Sequence, residues 1–68
     1  MINTYRDRKK AERATMVRSL NAAARGEPSQ YELRQLGPNG FIGGPQGEMQ
    51  KRYPNKPIIA QWSAGYRV

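Results

Sequence analysis

The sequence predicts a mainly α chain with an extended tail: a small helical hairpin, a Gly/Pro-rich linker and an extended carboxy-terminal arm, with little core of its own. Three features of the chain point to this class. Residues 5 to 25 run without Gly or Pro between a capping threonine and a glycine stop. Residues 37 to 47 hold five glycines and two prolines. Leu, Ile, Val and Phe together number only ten, in 68 residues that carry a net charge of +7. High net charge with so few large apolar side chains is the composition of chains that do not offset their ordering entropy alone. A chain of this length buries only about 60 percent of its unfolded surface even when apolar residues are plentiful.

The first helix is expected from about Tyr5 to Arg25. Thr4 can cap it, Asp7 meets the positive end of its dipole, and Gly26 supplies a left-handed stop. Met16, Val17, Leu20, Ala23 and Ala24 recur at three- and four-residue spacing, so this stripe is the side to bury. Ser29-Gln30-Tyr31-Glu32 has the form of a capping box, with Pro28 before it and Gly37-Pro38 beyond Leu36. A short second helix is therefore expected, turning at Glu27-Pro28 to close a hairpin over residues 1–36 around Met16, Val17, Leu20, Leu33 and Leu36.

Residues 37–50 read as turns or an extended linker, because such a density of Gly and Pro opposes both helix and central strand. Residues 51–68 form the arm. Pro54 and Pro57 block helix there, and Ile58-Ile59-Ala60-Gln61-Trp62 reads as a short strand ended by Gly65. A lone strand must pair with another chain's edge or lie across a surface.

The composition excludes much chemistry. The sequence has no Cys and no His, so the side chains of structural zinc sites and of most nucleophile and base pairs are missing. Asp7, Glu12, Glu27, Glu32 and Glu48 each lie near a Lys or Arg, and Ser19, Ser29 and Ser63 lack an activating imidazole. The expectation is a protein that is not an enzyme, with no cofactor, no metal and no small-molecule substrate. Gly40-Phe41-Ile42-Gly43 has a GxxG form without room for the domain that would use it, and the glycine run lacks the Lys-Ser/Thr of a phosphate loop. Nothing resembles a membrane span or the apolar stretch of a secretory signal, so no membrane is expected as a partner, and the expected location is a virion or the host-cell cytoplasm rather than secretion.

Two groups of residues are candidates for contact. Arg6, Arg8, Lys9, Lys10 and Arg13 crowd a helix start that is already positive, an unfavourable placement that a nearby anion would reverse. That anion is either phosphate or an acidic protein surface; the alternative is a solvated face. In the tail, bases alternate with Tyr53, Trp62 and Tyr66, a pattern suited both to stacking on single-stranded nucleic acid and to anchoring in a protein interface. Phe41, Tyr53, Trp62 and Tyr66 are taken as protein-interface anchors; a further possibility has Trp62 fold back on Leu20 and Leu36.

These features together describe a non-enzymatic structural or interaction protein: a small basic accessory component of a large assembly, a viral particle first among such assemblies, held by its arm to a larger protein with an acidic surface. The alternative is a small nucleic-acid-binding packaging or regulatory protein. The third is a small basic inhibitor of a host enzyme.

Overall fold

The computed structural model describes residues 2–68. Its elements follow in the order β1 (Asn3–Tyr5), α1 (Arg8–Ala24), β2 (Tyr31–Gly37), β3 (Gly40–Pro45), α2 (Gln46–Arg52), β4 (Ile58–Ser63) and β5 (Tyr66–Arg67). The strands form one sheet in the order β1-β3-β2-β4-β5, and every pairing is antiparallel. The expectation of a mainly α chain with an extended tail is overturned, since the molecule is an α+β domain whose single sheet draws strands from all three of the expected segments.

The first helix is shorter than predicted because its front is used elsewhere. Asn3–Tyr5 pairs with β3, and the cap passes from Thr4 to Asp7, whose carboxylate accepts from the Lys9 backbone N–H at 2.9 Å. The stop falls at Gly26, at φ 72°. There the Glu27 N–H bonds the Ala22 carbonyl and the Gly26 N–H bonds that of Ala23, the paired bonds of a Schellman ending.

Residues 31–36 are a strand, not a helix. Tyr31, Leu33 and Gln35 alternate with Glu32, Arg34 and Leu36, and this period-two pattern prevails because β2 is hydrogen-bonded on both sides, by β3 and by β4. Ser29 does not cap a helix; its hydroxyl accepts from the Ala64 N–H. The glycine-rich run is also a strand with partners on both edges. Two of its glycines, Gly43 and Gly44, are needed for space. A Cβ on Gly43 would stand 2.3 Å from the Thr15 hydroxyl of α1, and one on Gly44 would stand 2.9 Å from the Ile2 side chain. Pro38 and Asn39 form the turn between β2 and β3, where proline's fixed φ suits a tight reversal.

The carboxy-terminal segment does not extend away. β4 pairs with β2 inside the chain and hairpins into β5 through Ala64 and Gly65, at φ 53° and 83°. Two backbone N–H groups of that turn are held by serines, with Gly65 donating to the Ser19 hydroxyl at 2.9 Å and Ala64 to Ser29 at 3.1 Å.

One face of the sheet packs against α1 through Leu33, Phe41, Ala60 and Trp62 with Ala11, flanked by Tyr5, Met16 and Ile59. Strand alternation turns Glu32, Arg34 and Ile42 to the other face, which α2 covers with Met49, its one buried residue. Arg34 crosses this layer. It pairs with Glu32 and donates to the carbonyls of Tyr53 at 2.8 Å and Lys56 at 3.0 Å, so the loop after α2 is tied to the central strand.

Candidate interaction surface

Helix α1 is built in the reverse of the expected sense. Its buried residues are Ala11, Thr15, Ser19 and Ala22, at spacings of four, four and three that make one inward stripe. All are small. They let the helix settle against the glycine backbones at 43 and 65, where no side chain holds the elements apart. The larger apolar residues point outward, with Val17 42% and Leu20 48% exposed. Both were expected in the core, along with Met16, which is only partly buried against it. Leu36 is likewise only half-buried, and of the five expected core residues Leu33 alone is fully buried.

The basic group lies at the start of the same helix. Arg6, Arg8, Lys9, Lys10 and Arg13 are all exposed, and no acidic residue occupies the first turn. Among the described residues, ion pairs engage Arg8, Arg25, Arg34 and Arg67. Arg6, Lys9, Lys10 and Arg13 form none. On a helical projection Lys9, Arg13, Met16 and Leu20 share a stripe, and Lys10 and Val17 lie beside it. The outer face therefore has a cationic front half and an apolar rear half.

The four aromatics taken as anchors separate into two kinds. Phe41 and Trp62 are buried in the molecule's own core, Trp62 to 3% exposure, so their rings are not offered to a neighbour; Trp62 does fold back, but onto Leu33, Ala60 and Ala11. Tyr53 is half-buried at the end of α2. Tyr66 is 75% exposed on the edge strand β5. Lys51, Arg52 and Lys56 are exposed around α2, a different element from the basic start of α1.

Glu12 and Arg67 connect α1 to β5. Arg8 donates to Glu12 at 3.0 Å, and Arg67 reaches the other carboxylate oxygen while its guanidinium lies 5.5 Å from the Trp62 ring centre. Partial burial by itself would raise the Glu12 carboxyl; the hydrogen bonds from Arg8 and then Arg67 outweigh it and hold the group below its ordinary value of 4.5. A carboxyl lowered in the folded state contributes stability above its unfolded value and loses it as pH falls through the folded one. Thermal unfolding should therefore show a stability decline below about pH 4.5 that Glu12→Gln flattens, while at pH 7 that variant melts below wild type.

Sequence reasoning missed Val17 and Leu20 as surface residues and Arg67 as a clamp. The signal that would have found the first two was the Ala11, Thr15, Ser19, Ala22 spacing, which polar residues disguise. No group of three metal-binding side chains occurs among the described residues, and no described helix is long and apolar enough to cross a membrane. No protein-family model matches the chain, and no curated protein or solved structure matches it.

Proposed function

We propose that this protein is a non-enzymatic binding module of a larger assembly, a viral particle first among such settings, and that it docks through the outer face of α1 onto a protein surface that is both acidic and apolar. The observation that carries this reading is the inverted helix. Val17 and Leu20 stay half-exposed while Thr15 and Ser19 occupy the buried side. Exposed large aliphatics cost little singly, but two on adjacent turns beside four unpaired cations form a surface that a protein partner would complement. Phosphate would satisfy the cations and leave the aliphatics in water.

The rival reading, binding of nucleic acid, draws on Arg6, Lys9, Lys10 and Arg13 together with the exposed Lys51, Arg52 and Lys56 around α2. Salt separates the two. A binder making six or more phosphate contacts loses about a thousandfold or more in affinity between roughly 50 and 200 mM salt, whereas contacts through buried aliphatics persist. The test is a photo-cross-linking residue placed at position 17 or 20, with position 51 on α2 as control, in the cells that make the protein. Cross-links to one protein from 17 and 20, absent from 51 and formed equally when the cell lysate is irradiated at high salt, are expected. Cross-links to nucleic acid, or equal labelling from all three positions, would overturn the proposal.

A further inference from the structure

Between α1 and the β4–β5 hairpin runs an open groove of about 410 Å³, lined by Glu12, Met16, Trp62, Gly65, Tyr66 and Arg67. We infer that this groove receives one bulky apolar side chain of an acidic peptide segment, and so supplies the anchoring point of the docking face. The inference rests on the reading of α1 given above and adds a location and an occupant to it.

The walls fit such a side chain. Met16 supplies an adaptable thioether, the Arg67 guanidinium covers the buried Trp62 ring and forms the wall on that side, and Tyr66 stands exposed at the rim. Gly65 contributes backbone to one wall, and Leu20 fills the place a side chain there would take: a Cβ on Gly65 would stand 2.2 Å from the Leu20 Cγ. The groove thus continues into the exposed stripe of α1. A pocket that buries one aromatic or aliphatic group within a polar rim is the usual form of an interface hot spot.

Charge identifies the occupant's surroundings. Glu12 is the one acid at the groove, and it already meets Arg8 and Arg67. Lys9 and Arg13, on the stripe that leads to Met16, have no ion-pair partner among the described residues. The rim is net positive, which disfavours a second copy of this +7 chain and favours an acidic segment. Two bound arginines fix Glu12, so the groove does not depend on a flexible acid for its shape.

The test is a titration of the full-length, isotope-labelled chain followed through its amide resonances. The probes are a short peptide of Glu and Asp with a central Trp-Leu pair, the same peptide with Ser-Ser in that place, and a single-stranded oligonucleotide. The Trp-Leu peptide should shift Gly65, Tyr66, Arg67 and the Trp62 indole, and the Ser-Ser peptide should bind at least about tenfold more weakly. Tyr66→Ser, at a site too exposed to endanger folding, should erase that preference. Preference for the Trp-Leu peptide with shifts confined to residues 8–20 would overturn the groove and leave the helix face standing, and equal binding of both peptides would overturn the groove and the apolar part of the docking face together. Binding of the oligonucleotide alone would overturn the groove and the docking reading together. Failure of either peptide to bind would overturn the groove as a site for this chemistry.

Discussion

Replacing Trp62 with alanine should cost about 3–5 kcal/mol, a large share of the stability of the domain. Trp62 is 3% exposed at the centre of the main cluster, against Leu33, Ala60 and Ala11, and it supports the Arg67 guanidinium that holds Glu12. A 68-residue domain has a total stability of roughly 3–10 kcal/mol, so this loss is about a third of the whole or more. Tyr66→Ala, across the same hairpin opposite Ser63, should change stability by no more than about 0.5 kcal/mol. Denaturant unfolding of both variants checks the contrast. Had the tail been an arm ordered by a partner, neither substitution would alter the stability of the isolated chain.

The second large effect is expected at the ion pair under α2. Glu32 is fully buried and Arg34 is 4% exposed; they pair side by side on the central strand, and one Glu32 oxygen, Oε1, has no hydrogen-bond partner. Removing one member of a buried pair leaves an uncompensated charge and costs about 3–5 kcal/mol. Arg34→Met should approach the upper end, because it also strips the donors from the Tyr53 and Lys56 carbonyls and frees the loop after α2. Glu32→Gln should cost less, since Arg34 keeps those two acceptors. Combining Glu32→Leu with Arg34→Met should recover part of the loss, because an apolar pair carries no desolvation penalty. Recovery stays incomplete while the two carbonyls lack donors. Chemical denaturation of the three variants measures each step.

What was legible in the sequence was local. The helix over residues 8–24 showed in its unbroken run and its Gly26 stop, and the Ile58–Trp62 strand in its β-branched pair and bounding prolines. Both are set by near neighbours in the chain. The rest was fixed by partners far away in sequence. Glu32 and Arg34 look like surface residues of a helix until each is seen to neutralise the other beneath α2. Gly43 reads as flexibility until Thr15 occupies the space a side chain would take. Misreading β2 and β3 removed the sheet's centre, and without it β4 had no partner inside the chain and became an arm. The shortage of large apolar residues misled for the same reason. Close contact between small helical residues and glycine backbones, with an internal ion pair, fills the interior in place of Leu, Ile and Val.

The candidate surface was legible in half. Its basic front follows from Arg6 to Arg13 directly. Its apolar rear did not, because Val17 and Leu20 match the expected core spacing, and only the placement of Thr15 and Ser19 against the sheet turns them outward.

That inversion is the central claim, and thermal unfolding of the isolated Val17→Gln/Leu20→Gln protein tests it most directly. Glutamine keeps a helix-compatible stem and removes the apolar surface. If both side chains lie on the surface, half-exposed with Leu20 resting on the Gly65 turn, the double variant remains folded and loses no more than about 2 kcal/mol. A loss of about 3 kcal/mol or more, comparable with that of Trp62→Ala, would mean that these residues belong to the core, and would contradict the docking face built on them.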